Sequence, residues 1–225
     1  MKLLIDDANL SNIERLFDLF PVDGVTTNPS ILAKTQQPPY DVLCGLREYL
    51  GPEGELHVQV ISARAQDMIL EAEHIRNRVG SSTYIKIPAV SEGIKAIKEL
   101  SKRGCRTTAT AVYTPMQAFM AAKAGADYVA PYVNRIDNLG ASGVAVVSAI
   151  HEMFRNNQLK TKILAASFKN VHQIEALCRL GVDAATVSPT VMEAFLQNAS
   201  VNEAVNNFTA DFEKLCGPGN TMLSN

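Results

Sequence analysis

Eight short apolar segments, each followed by a segment of helical periodicity, constrain the fold of this 225-residue chain more than any other feature. The short segments are rich in valine, isoleucine and leucine at consecutive positions, which predicts strands buried on both faces and paired in parallel. Eight is also the number of strands that closes a (β/α)8 barrel, and this chain length is ordinary for one. The predicted strands are residues 3–6, 24–26, 56–61, 83–87, 107–111, 128–131, 162–166 and 184–187.

Apolar residues recur at a spacing of about 3.6 in the segments between the strands. Ser11 and Glu14 open the first of these segments and favour a capping box there, while Ser30 is a candidate N-cap further on. The predicted helices are residues 9–20, 63–79, 92–102, 115–124, 142–154 and 171–180. A short helical piece at 191–196 and an amphipathic helix at about 201–216 are predicted beyond the eighth strand.

An open, doubly wound α/β sheet is the alternative to a TIM barrel. The first strand–helix turn lacks the G-x-G-x-x-G sequence that such sheets use to bind dinucleotides, and no G-x-x-x-x-G-K-[ST] loop occurs. The barrel is therefore favoured. No linker is recognisable, so the sequence predicts one domain over residues 1–225, with the last helix packed on the barrel end or on another subunit.

Composition excludes several classes of function. A net charge of −2 provides no basic surface for nucleic acid or for an anionic membrane. No apolar stretch approaches the roughly 20 residues of a membrane span, and the apolar start of the chain is too brief for a signal peptide. The four cysteines are far apart and form no C-x-x-C pair, which argues against zinc or a redox couple. A cytoplasmic protein without a metal or another cofactor is expected.

Lys86 stands in the middle of the apolar segment Thr83-Tyr84-Ile85-Lys86-Ile87-Pro88. If its isoleucine neighbours pack under the helices, strand alternation directs Lys86 into the barrel lumen. Burial disfavours the charged ammonium, and a neutral amine can attack a carbonyl to form a Schiff base. The alternative is an edge-strand lysine whose amine lies in solvent.

Polar residues gather where the predicted strands end, which in a barrel is the face that carries the active site. Asp6 has two other interpretations, a helix cap and a buried salt bridge with a lysine, and Tyr132 has the alternative of a core residue. Residues 26–30 are also typical of a turn. The candidate residues are Asp6, Thr26, Asn28, Gln59, Lys86, Thr110, Tyr132, Asn134, Arg135, Ser167 and Lys169.

Arg135 and residues 165–170 indicate an anion site. Arginine offers a planar fork of donors, Ser167 offers a hydroxyl, and backbone N–H groups at the start of the next helix favour negative charge. The loop after the seventh strand is a recurrent phosphate site in such barrels. The alternative is a surface ion pair between Arg135 and Asp137.

Five segments closely resemble the small transaldolase family: GVTTNPS at 24–30, IKIP at 85–88, TAVY at 110–113, APYVNRID at 130–137 and AASFK at 165–169. The resemblance extends over nearly the whole chain. It implies a (β/α)8 barrel with class I, metal-independent aldol chemistry on a phosphorylated sugar and no cofactor. In that family the lysine that matches Lys86 forms the Schiff base.

Gln59 and Tyr132 resemble the fructose-6-phosphate aldolase subgroup, because true transaldolases usually carry glutamate and phenylalanine there. The implied reaction cleaves fructose 6-phosphate to dihydroxyacetone and glyceraldehyde 3-phosphate, and the alternative is transaldolase transfer. Gln59, Thr110 and Tyr132 would organise an acid–base water. The resemblance also implies roles in substrate binding: Asp6 for the lysine and substrate hydroxyls, Thr26 and Asn28 for the dihydroxyacetone portion, and Arg135, Ser167 and Lys169 for the phosphate.

Two further expectations concern the chain ends. The family commonly has Leu-Asp-Thr-Ala at the first strand, whereas this chain has Ile5-Asp6-Asp7-Ala8, so the orientation of Asp6 beside a second carboxylate is open. The helix at about 201–216 resembles one that reaches over a neighbouring subunit, which implies a homo-oligomer, a ring-shaped pentamer or decamer. A non-catalytic barrel that binds phosphorylated sugars is the third functional alternative.

Overall fold

The structure, a computed structural model, describes residues 1–224. Eight parallel strands form a closed barrel in chain order, with the first strand paired to both the second and the eighth. The predicted (β/α)8 barrel is confirmed, and the doubly wound sheet is excluded. The strands are β1 Lys2–Asp6, β2 Gly24–Thr26, β3 Glu55–Gln59, β4 Tyr84–Pro88, β5 Thr107–Val112, β6 Tyr128–Pro131, β7 Lys162–Ala165 and β8 Ala184–Val187.

Helices follow the strands, and those that connect one strand to the next cover the outside of the barrel. Three of them, α2 (Pro29–Lys34), α3 (Pro39–Leu50) and α7 (Val133–Asn138), were not predicted from the sequence. Proline stands in the first turn of α2 and α3, where its missing N–H costs no helical hydrogen bond, but prolines in a sequence also suggest a loop. The helices are α1 Leu10–Leu19, α2 Pro29–Lys34, α3 Pro39–Leu50, α4 Ala65–Val79, α5 Ser91–Lys102, α6 Pro115–Lys123, α7 Val133–Asn138, α8 Gly143–Asn156, α9 Val171–Leu180, α10 Pro189–Glu193 and α11 Ala199–Cys216.

The described chain divides into two compact units. The first spans Met1–Met192 and contains the barrel, and the second begins at Glu193 and contains α11. Apolar side chains at Val201, Val205 and Phe208 form an exposed stripe along α11. The single domain over residues 1–225 and the packing of the last helix stay predictions. Within residues 1–224, no helix has the length and apolarity that crossing a membrane requires.

Asparagine side chains begin the two helices nearest the start of the chain. The Asn9 side chain accepts from the Asn12 N–H at 3.0 Å and starts α1, so the predicted capping box of Ser11 and Glu14 is wrong. Ser11 already lies inside the helix. The Asn28 side chain accepts from the Ile31 N–H at 3.0 Å and starts α2, so Ser30 is not the N-cap. Asparagine is among the best N-cap residues because its short side chain reaches these free N–H groups.

Strand alternation assigns side chains to the lumen or to the layer beneath the helices. Ile85 and Ile87 have no exposed surface and alternate with Lys86 along β4. Inside the lumen, Leu4, Tyr128, Leu164 and Ala184 pack together although they come from four different strands. Lys86 therefore lies on the lumen side of β4, as the alternation predicts.

The packing of α5 against β4 depends on Gly93. A Cβ at this position would lie 1.9 Å from the carbonyl oxygen of Pro88, at the end of the strand that carries Lys86. Gly93→Ala is therefore expected to lower the free energy of unfolding by about 1–3 kcal/mol, the usual cost of overpacking. Urea unfolding followed by circular dichroism measures this change.

Gly45→Ala is the matched control for that substitution. Gly45 lies inside α3, and nothing surrounds its would-be Cβ within 4 Å. Alanine there should raise the free energy of unfolding by roughly 0.5–1 kcal/mol, because it restricts the unfolded chain and favours the helix. Equal effects of the two substitutions would contradict the close packing of α5 on β4.

Candidate active site

Lys86 is the buried amine at the centre of the site. Only 5% of its surface is exposed, and its Nζ donates a hydrogen bond to the carbonyl oxygen of Thr27 at 2.7 Å. Burial lowers the pKa of Lys86, and the charge of Asp6 opposes this shift only in part. The solvent-exposed edge lysine is thus wrong. An amine whose neutral form is favoured in this way suits nucleophilic attack on a carbonyl.

Asp6 ends β1 and faces the site together with Thr26. Its carboxylate accepts a hydrogen bond from Thr26 Oγ1 at 2.7 Å, and Thr26 Oγ1 lies 2.7 Å from Thr186 Oγ1. Burial raises the pKa of Asp6, while the charge of Lys86 and the Thr26 hydrogen bond lower it. Asp6 and Lys86 thus influence each other's proton, which is useful for acid–base chemistry.

Asp7 takes a separate role at the start of α1. Its carboxylate accepts from the backbone N–H groups of Ala8 at 2.8 Å and Asn9 at 3.3 Å, and from Asn12 Nδ2 at 3.2 Å. The Asp7 carboxylate is therefore bonded to the start of α1, whereas the Asp6 carboxylate faces the site. Asp6 does not cap the helix that follows it.

Thr110 and Tyr132 form a hydrogen-bonded pair at the carboxyl end of the barrel, with their hydroxyl oxygens 2.8 Å apart. The next residue, Ala111, has a φ of 55°, and the pairing of β5 with β6 shifts register there. Left-handed backbone at a residue other than glycine is strained and is often found at functional sites. Tyr132 is half-buried and bonded rather than a simple core residue.

Gln59 and Asn28 complete the group near Lys86. Gln59 is the last residue of β3 and is the register partner of Lys86 on β4, so the two lie side by side. The amide oxygen of Asn28 is engaged in capping α2, so its amide nitrogen is the group that remains to bind a substrate oxygen. Gln59 and Asn28 are both half-buried.

The predicted anion site lies around the start of α7. The Arg135 guanidinium stacks over the Tyr132 ring at 4.6 Å, which links this site to the Thr110–Tyr132 pair. Ser167 has a φ of 61°, and its carbonyl accepts from the Asn134 N–H at 2.7 Å. Lys169 is exposed, and its backbone N–H donates to Gln173 at 2.8 Å. This bond fixes the backbone of Lys169 rather than its ammonium.

Asp137 does not neutralise Arg135. Its two carboxylate oxygens accept from the Gly143 N–H at 2.7 Å and from Gln173 Nε2 at 2.6 Å. The proposed surface ion pair between Arg135 and Asp137 is therefore not formed. The exposed Arg135 guanidinium stays available for an anionic substrate group.

Two contacts in this site were not predicted. The backbone carbonyl of Thr27 holds the Lys86 amine, and a backbone atom carries no signal in the sequence. Thr186 contacts Thr26 from β8, and here the signal existed: it is a single polar residue between Ala185 and Val187. Strand alternation could have placed its side chain in the lumen.

A family model described as Transaldolase/Fructose-6-phosphate aldolase matches residues 3–219. The chain belongs to the transaldolase/fructose-6-phosphate aldolase family. The resemblance inferred from the five segments is confirmed, and the buried lysine occurs in a family of enzymes with aldolase- or transaldolase-type activity. Within residues 1–224, no three or more histidine, cysteine, aspartate and glutamate side chains are grouped as metal ligands would be.

Proposed function

We propose that this member of the family is a class I aldolase that reversibly cleaves fructose 6-phosphate to dihydroxyacetone and glyceraldehyde 3-phosphate. The observation that carries the proposal is the buried Lys86 amine, held by the Thr27 carbonyl at 2.7 Å with Gln59 beside it on β3. The Thr110–Tyr132 hydroxyl pair supports the aldolase over the transaldolase, because both hydroxyls and the Gln59 amide are uncharged groups suited to orienting a water.

In the proposed reaction, the neutral amine of Lys86 attacks the C2 carbonyl of the ketose, and loss of water forms the iminium ion. Removal of the C4 hydroxyl proton breaks the C3–C4 bond, and its electron pair moves to the iminium to form an enamine. Glyceraldehyde 3-phosphate then leaves. Protonation of the enamine at C3 and hydrolysis release dihydroxyacetone and regenerate the amine.

Each neighbour of Lys86 has a proposed part in these steps. Asp6 orients the lysine and substrate hydroxyls, with its carboxylate held by Thr26. Gln59, Thr110 and Tyr132 position the water that carries protons between oxygen and carbon. Thr26 and Asn28 contact the dihydroxyacetone portion.

Arg135, Ser167 and Lys169 are proposed to bind the phosphate group. Arg135→Ala is expected to raise the KM for fructose 6-phosphate by about 10- to 100-fold with a smaller change in kcat, because a hydrogen bond to a charged group contributes about 1.5–3 kcal/mol. Steady-state kinetics measure both constants. Arg179→Ala is the control, since Arg179 is exposed on α9 and pairs with Glu175. A KM unchanged in Arg135→Ala would contradict the phosphate role.

A transaldolase that uses the same lysine is the second candidate, because the matched family model covers both activities. The two reactions differ in what the enamine does after cleavage. Release of glyceraldehyde 3-phosphate should therefore be measured with and without an aldose phosphate acceptor. Release without acceptor supports the aldolase, and strict dependence on the acceptor would overturn it.

Gln59→Glu tests the residue on which the choice between aldolase and transaldolase rests. A carboxylate beside Lys86 can exchange protons, and we expect the ratio of transfer to cleavage to rise. Gln117→Glu is a suitable control, because Gln117 caps α6. An unchanged ratio would remove Gln59 as a determinant of the reaction.

Assembly and location are further proposals. The exposed apolar stripe of Val201, Val205 and Phe208 on α11 supports a homo-oligomer. Its form, a ring-shaped pentamer or decamer, is proposed from the family resemblance, and a cytoplasmic location is proposed from the sequence. Sedimentation equilibrium of the purified protein measures the mass. A monomer at micromolar concentration would contradict the ring.

A further inference from the structure

Two side chains that have no part in the steps above connect the elements that carry the proposed phosphate site. Asp137 lies on α7, which also carries Arg135. Gln173 lies on α9, which begins just after the loop that contains Ser167 and Lys169. Nε2 of Gln173 donates a hydrogen bond to Oδ2 of Asp137 at 2.6 Å. This contact between α9 and α7 is called here the Asp137–Gln173 bridge.

Each end of the bridge accepts a hydrogen bond from the backbone. Oδ1 of Asp137 accepts from the Gly143 N–H at 2.7 Å, at the start of α8. Oε1 of Gln173 accepts from the Lys169 N–H at 2.8 Å, in the loop after β7. Only 8% of the Gln173 surface is exposed, so little water competes for its bonds. Three hydrogen bonds therefore run in series from α8 through α7 and α9 to the loop after β7.

The two backbone donors determine the orientation of the Gln173 amide. Because the N–H groups of Gly143 and Lys169 can only donate, each of them must face an oxygen. The amide oxygen of Gln173 therefore faces Lys169, which turns the amide nitrogen towards Asp137. That nitrogen needs an acceptor, and the second carboxylate oxygen of Asp137 supplies it. The four groups thus fit together in a single hydrogen-bond arrangement.

The bridge is the second connection between α7 and the loop after β7. At the start of α7, the Asn134 N–H donates to the carbonyl of Ser167 at 2.7 Å. Towards the end of α7, the bridge reaches Lys169 through Gln173. Ser167 has a φ of 61°, and a residue other than glycine keeps such a left-handed conformation only when its surroundings hold it there. The two connections hold the backbone on both sides of this strained residue.

A simple helix cap is the other interpretation of Gln173. Its side chain accepts from the Lys169 N–H just before the first turn of α9, as capping side chains do. Gln117 does the same at the start of α6, where its Oε1 accepts from the Tyr113 N–H at 2.9 Å. What distinguishes Gln173 is the bond to Asp137, which extends from the cap to a different helix. Gln117 is therefore the matched control.

We propose that Gln173 and Asp137 are positioning residues for the phosphate group of the substrate: their bridge holds the loop with Ser167 and Lys169 in place relative to Arg135. The inference rests on the proposed phosphate role of those three residues. It deepens that role by naming the contact that keeps α7 and the loop together. The bridge does not need to touch the substrate, because its amide nitrogen, amide oxygen and both carboxylate oxygens already have partners.

Two single substitutions that change the charge in opposite directions test the bridge. Gln173→Glu makes two carboxylates face each other, and Asp137→Asn makes two amide nitrogens face each other, so each substitution breaks the central bond. We expect the KM for fructose 6-phosphate to rise by about 10-fold in both variants, with kcat changed by less than about 2-fold. An effect of charge alone on Arg135 would change KM in opposite directions, because one substitution adds a negative charge and the other removes one.

The double variant Asp137→Asn with Gln173→Glu restores the bridge with its central bond reversed. The new amide at position 137 accepts from the Gly143 N–H and donates to the new carboxylate at position 173, which still accepts from the Lys169 N–H. The net charge is unchanged. We expect KM to return to within about 2-fold of that of the unmodified protein, whereas independent effects would multiply. Gln117→Glu keeps the cap of α6 and should leave KM unchanged.

The synthesis direction shows whether the effect belongs to the phosphate group. In both single variants, the KM for glyceraldehyde 3-phosphate should rise by about 10-fold, while the KM for dihydroxyacetone, which carries no phosphate, should change by less than about 2-fold. Inorganic phosphate, used as a competitive inhibitor, should bind more weakly by the same factor as the KM for glyceraldehyde 3-phosphate rises. An equal rise of both KM values would indicate a general disturbance of the barrel mouth and would overturn the inference.

The outcomes distinguish this inference from the proposed function. If the unmodified protein does not cleave fructose 6-phosphate, or if Arg135→Ala leaves KM unchanged, the proposed function or its phosphate site is wrong. A raised KM in Arg135→Ala, together with an unchanged or lowered KM in either single bridge variant or no recovery in the double variant, would overturn the inference alone. Should Gln173→Glu fail to fold, Asp137→Asn and the double variant decide by the same comparison. A double variant that also fails to fold would contradict the reversed bridge.

Discussion

Lys86→Met is expected to lower the rate of fructose 6-phosphate cleavage by at least about 1,000-fold, because it removes the nucleophile that forms the covalent intermediate. Methionine fills a similar volume and avoids the desolvation cost of a buried ammonium. The folded state should therefore be as stable as the unmodified protein or more so. A coupled assay of glyceraldehyde 3-phosphate and a thermal unfolding curve measure the two effects.

Lys123→Met provides the control, since Lys123 is an exposed residue at the end of α6. It should keep the activity of the unmodified protein. The pH profile adds a second check on Lys86. Because burial lowers the pKa of Lys86, its amine loses its proton at a pH below the ordinary range of lysine. The acid limb of the pH profile of kcat/KM should lie at that lower pH as well. Substantial activity in Lys86→Met would contradict the Schiff-base role.

Asp6→Asn is expected to lower kcat by about 100-fold, because the carboxylate that orients the lysine and the substrate hydroxyls is lost and poorly oriented reacting groups cost about that much. Asparagine can still accept the Thr26 hydrogen bond, so the shape of the site is retained. The negative charge that opposes the lowering of the Lys86 pKa is lost. The acid limb of borohydride trapping should therefore move to lower pH in this variant.

Asp7→Asn separates the two adjacent carboxylates. Asp7 bonds to the start of α1 and not to the Asp6–Thr26 pair, so its substitution should leave kcat nearly unchanged and reduce stability slightly. Steady-state kinetics of both variants measure the contrast. A larger loss in Asp7→Asn than in Asp6→Asn would show that the roles of the two residues are reversed.

The strands could be predicted from the sequence because burial on both faces leaves a continuous apolar pattern. All eight lie within two residues of the expected bounds. Helices α2 and α3 were missed because Pro29 and Pro39 suggest a loop when read without the backbone, although proline suits the first turn of a helix. The local sequence thus predicts the strands of the barrel better than it predicts the short helices in the connections between them.

The candidate site could be predicted to the extent that single residues carry a signal. Lys86 is a charge on an apolar strand, and its burial follows from alternation with Ile85 and Ile87. The acceptor for its amine is a backbone carbonyl, and no side-chain pattern indicates it. The buried hydrogen bond between His57 and Thr108 was missed because it requires knowing that β3 and β5 flank β4 and how their registers match.

The most direct test of the account is to locate the covalent intermediate. The protein is incubated with fructose 6-phosphate, reduced with borohydride, digested and mapped by peptide mass spectrometry, with Lys86→Met treated in parallel. We predict a reduced sugar adduct on Lys86 in the unmodified protein and none in the variant. An adduct on another lysine, or turnover without any adduct, would contradict the assignment of Lys86 as the Schiff-base residue.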